Sequence, residues 1–276
     1  MKIVGLHDKY PDETGSRFAE GGKRLTGEAQ KRTDIPLVTV MTVCFNSAST
    51  IEQTFDSVRN QTYPNVEYLI IDGGSKDGTI DLIQANAEII DYYVSEPDTG
   101  LYAAMNKGLS LASGDFILIL NSDDWYEHDA IERLVRAHQI SGCDFVGGLA
   151  RYLNADGSSF VLPKMRFDHA TLLRMPLRHQ TMLIPAALYD EIGPYDTNFP
   201  IIADFDLAIR LFQAGKTYFE VNAPLLNFRT TGVSSTALER LHGEHRDLLT
   251  KVFPYLTEEE VSAIGDHSAA KPEDFF

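Results

Sequence analysis

The sequence predicts an α/β protein: a mainly parallel central sheet with helices on both faces and a smaller part toward the C-terminus. Three observations predict it. The apolar runs at 37–45, 66–71 and 116–120 are unbroken, short and bounded by turn residues, which suits strands buried on both faces. Segments of helical apolar spacing separate them, and strands alternating with helices build parallel sheets. Acidic and amide residues gather at the ends of the runs, and open α/β sheets bind ligands outside the carboxyl ends of their strands.

Residues 1–34 are polar and charged around Gly21-Gly22, and only 2–6 has strand character, so a mobile extension is expected there. Strand 37–45 is followed by a helix at 50–59 with Ile51, Phe55 and Val58 on one face and Ser49 or Thr50 as N-cap. Strand 66–71 runs into Asp72-Gly73-Gly74-Ser75-Lys76-Asp77-Gly78-Thr79, a composition that demands a tight turn. A helix at 80–87 and a short strand at 92–95 come next. Leu101, Met105, Leu109 and Leu111 then space a helix that Ser113-Gly114 stops, and strand 116–120 delivers Asn121, Ser122, Asp123 and Asp124.

Beyond Asp124 the pattern predicts a helix at 129–139, a strand at 144–149 and a hairpin over 151–162 turning at 154–157. A strand at 181–184 and a short helix at 186–192 follow. Asp204 opens a helix that Gly215 ends, and strands at 217–221 and 225–228 close the core. Residues 238–253 form a charged amphipathic helix with mixed charges suited to a solvated face, and the acidic residues from 257 fray. The expected organisation is an extension (1–34), a main domain (35–235) and a C-terminal helix with an acidic tail (236–276).

With 276 residues, 43% of them hydrophobic, the chain buries a full core. A net charge of −16 excludes nucleic acid as partner and adhesion to anionic lipid by charge alone. No run approaches the roughly 18 apolar residues of a spanning helix, and no secretory signal opens the chain. These readings place the protein in the cytoplasm, free or peripheral at the inner face of the membrane, with a homo-oligomer left open. Cys44 and Cys143 read as reduced residues inside apolar runs.

Asp123 and Asp124 repel each other unless something positive joins them, and a hard divalent cation takes carboxylate oxygens. Five ordered motifs carry a resemblance to a known family: residues 37–46, QTYPNVEYLIIDGGSKDGT (61–79), NKG (106–108), GDFILILNSDDW (114–125) and IGPY with DFDLAIR (192–210). Together they resemble the inverting family-2 glycosyltransferases, and within them the bacterial polysaccharide-assembly members of the colanic-acid type. The resemblance covers about 36–234. It implies a GT-A fold, a nucleotide-diphospho-sugar donor (UDP- or GDP-sugar), a saccharide or lipid-linked acceptor, and Mg2+ or Mn2+.

Residue by residue, Asn121-Ser122-Asp123 stands where the family has D-x-D, which implies Asp123 as first metal ligand, Asp124 as second and Asn121 at the donor. Asp72 stands where relatives carry base-reading Asp residues, with Gly73 in place of the second, and Phe45 replaces the Tyr that lies against the base. Asn46 supports that loop, and Asn106 and Lys107 approach the donor. Asp204 matches the catalytic base of E-D-x-D-L, with Ala203 in place of the Glu. An inverting transfer needs one such carboxylate to take the acceptor proton. His179, Trp125 and Asp206 are candidate donor or acceptor contacts. Two other readings compete: an inactive scaffold subunit, which Asn121, Gly73 and Ala103 keep open, and a sugar nucleotidyltransferase, which would want a basic phosphate loop after the first strand.

Overall fold

The computed structural model describes residues 17–29, 31–164, 166–231 and 238–268. The strand expectation at 2–6 and the end of the acidic tail lie outside these residues. Strands in chain order are β1 (Ala19–Gly21), β2 (Val38–Cys44), β3 (Val66–Asp72), β4 (Tyr92–Ser95), β5 (Phe116–Asn121) and β6 (Trp125–Tyr126). They continue as β7 (Phe145–Leu153), β8 (Ser159–Val161), β9 (Ile184–Pro185) and β10 (Tyr218–Arg229). Helices are α1 (Lys23–Thr26), α2 (Ile51–Arg59), α3 (Thr79–Ala85), α4 (Leu101–Leu111) and α5 (Ala130–Ser141). After them come α6 (Ala186–Ile192), α7 (Ala203–Gln213), α8 (Leu238–Val252) and α9 (Glu258–Ser268).

The main sheet runs β1-β4-β3-β2-β5-β9. Its four inner strands are parallel, and both edges run antiparallel to their neighbours. Alternate side chains of one strand feed different cores, as the two-residue period requires. Met41, Leu69, Ile71, Ile117 and Ile119 pack with α4 and α7, whereas Val40, Tyr68, Ile70 and Leu118 pack with α2 and α5. A second sheet, β6-β10-β7-β8, joins the parallel pair β7 and β10 to two antiparallel edges. The expected GT-A-like α/β architecture is thus present, and β7–β8 is the expected hairpin.

Several expectations are corrected. The strands expected at 217–221 and 225–228 are one strand, β10, whose register against β7 shifts around Pro224. Proline has no amide hydrogen to give the ladder, so the sequence break marks an irregularity inside the strand. At 181–184 a 3-10 turn over His179–Thr181 precedes a strand of only Ile184–Pro185. Cys143 is half-buried in the turn before β7, while Cys44 is buried at the end of β2; both are free thiols.

The described part of the N-terminal segment is not a mobile extension. β1 pairs with β4, and Lys23 and Arg24 continue the contact through backbone amides to the Ile90 and Asp91 carbonyls. Polar composition misled the reading, because this segment brings charge to buried carboxylates rather than apolar surface to a core. Arg24 pairs with Glu67, Lys31 and Lys23 with Asp91, and Arg17 with Glu96; Glu67 and Asp91 are each 1% exposed. Burial alone would raise the Glu67 carboxyl, but Arg24, Ser113 and Thr39 outweigh it and hold Glu67 below its ordinary 4.5.

Removing one partner of a buried pair leaves the other charge uncompensated. Arg24 reaches solvent and Glu67 keeps bonds from Thr39 and Ser113, so Arg24→Ala is expected to cost about 2 kcal/mol, a Tm drop of roughly 4–8 °C. A depressed carboxylate stabilises above its unfolded value and stops doing so as pH falls through the folded one. The gap between wild type and variant should therefore close in acid, below the ordinary glutamate range. A gap that persists unchanged to pH 3 in thermal melts would contradict this ion-pair account.

The C-terminal helices also pack on the chain. Glu244 of α8 accepts from the Ile201 and Ile202 amides (2.7 and 3.2 Å), and Lys251 pairs with Asp206 at 2.8 Å. α8 thus braces the start of α7 instead of presenting only a solvated face. α9 buries Val261 where fraying was expected. No helix among the described residues is long and apolar enough to cross a membrane.

Candidate active site

A cavity of about 360 Å3 opens at the carboxyl ends of β2 and β5, between α4, the start of α7 and the end of β10. Asn121, Asp123, Asp124, His179, Asp204 and Arg229 are among its lining residues. β5 is an apolar strand that must end where it meets solvent, and its last residue is Asn121. The Asn121 side-chain oxygen is buried without a hydrogen-bond partner. Asp123 follows, and no other described residue hydrogen-bonds its carboxylate; burial pushes that carboxyl upward.

Asp124 differs. It is 1% exposed, and its two oxygens accept from the Gln180 amide and the Arg229 backbone N–H. Burial first, then repulsion from Asp123, pushes it up to about 7. It ties β5 to β10 and to the His179–Thr181 turn, so its expected place as second metal ligand is corrected. At the end of β5, Asn121 and Asp123 line the cavity with side-chain oxygens that accept from no other described residue. One or two carboxylate-type ligands completed by substrate phosphates and water is how Mg2+ is ordinarily held. Among the described residues no cluster of three His, Cys, Asp or Glu could hold a metal alone.

Asp204 sits in the first turn of α7 and lines the same cavity. Its Oδ1 accepts from Tyr102 Oη at 3.0 Å and from the Phe205 N–H at 2.9 Å, and Oδ2 has no hydrogen-bond partner among the described residues. His179 stands beside it. Its Nε2 meets Tyr195 Oη at 2.7 Å, and Tyr195 meets Tyr189 Oη at 3.0 Å. If each tyrosine donates toward the imidazole, every buried proton is used; the reverse order strands the Tyr189 proton, which costs about 1–3 kcal/mol. His179 therefore accepts at Nε2, and burial lowers its pKa below the ordinary 6.5, which keeps it neutral.

Seven expected contacts (Phe45, Asn46, Asp72, Asn106, Lys107, Trp125 and Asp206) are not among the lining residues. Asp72 is 1% exposed and spends its carboxylate on the Gly74 and Ser75 amides and the Ser75 and Ser95 hydroxyls, so it builds its own turn. Asn106 clamps the Tyr195 backbone through two bonds (2.8 and 2.9 Å). Lys107 is buried against Glu96 at 2.7 Å, and a side chain on Gly108 would strike Met41 of β2. The NKG run thus seats α4 on the sheet. Asp206 is held by Arg210 and Lys251.

Trp125 is not a lining residue; its ring carries the Arg229 guanidinium, 4.7 Å from the centroid. Asn46 has φ 52° and its side chain accepts from the Lys76 amide, so it locks the loop next to exposed Phe45. Sequence reasoning missed Arg229, which brings the positive charge nearest Asp123 and bonds its carbonyl and Gln53. It also missed Tyr102 and Gln180. The position of Arg229 directly after an apolar strand run was the available signal.

A mainly parallel sheet whose acidic strand end shares one cavity with a helix-borne carboxylate is the arrangement of a GT-A glycosyltransferase. The chain belongs to glycosyl transferase family 2, whose model matches residues 39–195. An uncharacterised glycosyltransferase of Mycobacterium tuberculosis is 32% identical over 212 residues, covering 74% of this chain and 79% of the relative. A PGL/p-HBAD biosynthesis glycosyltransferase of Mycobacterium bovis is 30% identical over 186 residues, 64% of this chain and 70% of its own. S. aureus TarS 1–349 in complex with UDP superposes with a TM-score of 0.62 at 16% identity, over 84% of this chain and 70% of that one. The mannosyltransferase PcManGT from Pyrobaculum calidifontis, in complex with GDP-Man and Mn2+, gives 0.63 at 18%, over 87% and 76%. At these identities the likeness is one of fold.

Proposed function

We propose that this glycosyltransferase transfers a sugar from a UDP- or GDP-sugar, with inversion and with a divalent cation, to a saccharide or lipid-linked acceptor of bacterial surface glycan assembly. One observation carries the reading: Asn121 and Asp123, whose side-chain oxygens accept from no other described residue, line the same cavity as Asp204. Asn121 and Asp123 would hold Mg2+ or Mn2+, which supplies Lewis-acid stabilisation to a departing diphosphate. The acceptor hydroxyl attacks the anomeric carbon, its proton passes to Asp204 Oδ2, and the bond from that carbon to the diphosphate oxygen breaks. Neutral His179 orients a hydroxyl or phosphate oxygen without competing for the proton, and Tyr102 fixes the Asp204 carboxylate. The relative named for PGL/p-HBAD biosynthesis supports a glycolipid acceptor. The narrower colanic-acid affiliation rests on motif spacing.

A panel of sugar nucleotides read by thermal shift, with and without Mn2+, tests this reading. A ligand at about 100 times its Kd adds roughly 2.7 kcal/mol of stability. Stabilisation by UDP- or GDP-sugars that requires Mn2+ is expected. A flat panel would remove the donor assignment.

A further inference from the structure

Outside the cavity, the same edge of the sheet carries a second constellation at the ends of β2, β3 and β4. Phe45 follows β2 and is 62% exposed; Phe18 precedes β1 and is 57% exposed. Both rings crowd the Gly73–Gly74 turn. A Cβ built on Gly74 would lie 2.9 Å from Phe18 Cε2, and one on Gly73 would lie 3.4 Å from Phe45 Cδ2 and 2.9 Å from Asp98 Oδ2. Gly74 also has φ 84°, where a side chain is strained. Glycine at both positions therefore leaves room for the Phe18 ring over Gly74 and for the Phe45 ring and the Asp98 carboxylate over Gly73.

The three side chains are held differently from ordinary surface residues. The Phe18 amide donates to the Ser95 carbonyl at 2.7 Å, and Arg17 next to it pairs with Glu96, so the ring is placed by the sheet edge. Asp98 Oδ1 takes the Gly100 amide at 2.9 Å, which fixes the carboxylate and leaves Oδ2 without a hydrogen-bond partner among the described residues. The strand order puts the ends of β2, β3 and β4 one, two and three strands from β5. At about 4.8 Å per strand that is roughly 5–14 Å, a reach that a ribose and two phosphates bridge. Large exposed rings beside a fixed acceptor form a platform for a flat heterocycle that offers an N–H.

We infer that the N-terminal segment, outside the family-matched residues, completes the nucleotide site: Phe18 and Phe45 flank the base, and Asp98 Oδ2 reads its ring N–H. This rests on the nucleotide-sugar reading above. A carboxylate oxygen only accepts, so it suits the N–H of uracil or guanine and repels the ring nitrogen that adenine and cytosine present there. Asp98 thereby takes over base reading from the inward-turned Asp72, and the side-chain-free Gly73 admits it.

The test is direct binding of UDP, GDP, ADP and CDP, each with Mn2+, to the full chain and to Phe18→Ala, Phe18→Tyr and Asp98→Asn. Wild type should bind UDP or GDP at least about ten-fold tighter than CDP and ADP, and which of the two wins identifies the donor base. Phe18→Ala should weaken that nucleotide about ten-fold, the scale of one base–aromatic stack, and Phe18→Tyr should restore it. Asp98→Asn should collapse the ratio between UDP or GDP and CDP or ADP, because its amide can donate to a ring acceptor. Phe18 is exposed and Asp98 half-buried, so melting curves of the variants should match wild type. Tight binding by wild type with unchanged affinity and selectivity in Phe18→Ala and Asp98→Asn overturns the inference and leaves the glycosyltransferase reading standing. No binding of any nucleotide by wild type overturns both.

Discussion

Asp204→Asn is expected to lower kcat by about 10²–10⁴, or roughly 3–5 kcal/mol of barrier, while leaving the dissociation constant of the sugar nucleotide within about two-fold. The amide keeps the shape of the carboxylate and can still accept from Tyr102 Oη and the Phe205 N–H, which hold Oδ1 at 3.0 and 2.9 Å. It has no basic site at neutral pH for the proton of an attacking hydroxyl. The split between binding and chemistry is the diagnostic feature. A variant that loses donor affinity and retains turnover per bound donor would move Asp204 to the donor site. The neighbouring Asp206→Asn should act differently, because Asp206 is buried between Arg210 and Lys251. That variant should lower Tm and affect kcat only modestly.

Asp123→Ala is expected to abolish the Mn2+ dependence of donor binding and to cost several kcal/mol of transition-state stabilisation, about 10³-fold or more in kcat/KM. Asp123 is the carboxylate at the strand end without a hydrogen bond from another described residue, so its loss removes a ligand and little else. Asn121→Ala should be milder in turnover, because an amide oxygen carries no full charge. Asp124→Ala should behave as a structural variant. It frees the Gln180 amide and the Arg229 backbone N–H, so its main signature is lost stability. Chelation should reproduce the Asp123→Ala phenotype in the wild type. Full turnover in excess chelator would remove the metal from the mechanism.

Folding and function meet at α7. Its first turn carries Asp204, its end is tied through Arg210 to the carbonyls of Ile192, Gly193 and Pro194, and Glu244 of α8 caps the approach at Ile201 and Ile202. α8 lies beyond the family-matched segment, yet it fixes the approach to the turn that carries Asp204. The N-terminal segment does the same for the other end of the site, through cations placed on Glu67, Asp91 and Glu96. Both terminal additions therefore act on the family domain through buried charge. Trimming to residues 35–256, which composition alone would justify, should leave Glu67 and Asp91 without counter-ions.

The parallel sheet, its order of helices and the acidic end of β5 were legible in the sequence because they rest on local rules. Unbroken apolar runs make strands buried on both faces, and a strand that ends in Asn-Ser-Asp-Asp must put those groups at a ligand-binding edge. The start of α7 at Ala203-Asp204 was legible for the same reason. What the sequence could not determine was which polar groups have been spent. Asp72, Asn106, Lys107, Asp124 and Asp206 have the right chemistry at the right spacing, but their partners come from residues as distant as Tyr195, Glu96, Arg229 and Lys251. Only the folded chain decides that Asp123 and Asp204 keep free oxygens. Only it brings Phe18 to the turn at Gly74, because strand pairing between β1 and β4 joins segments far apart in sequence.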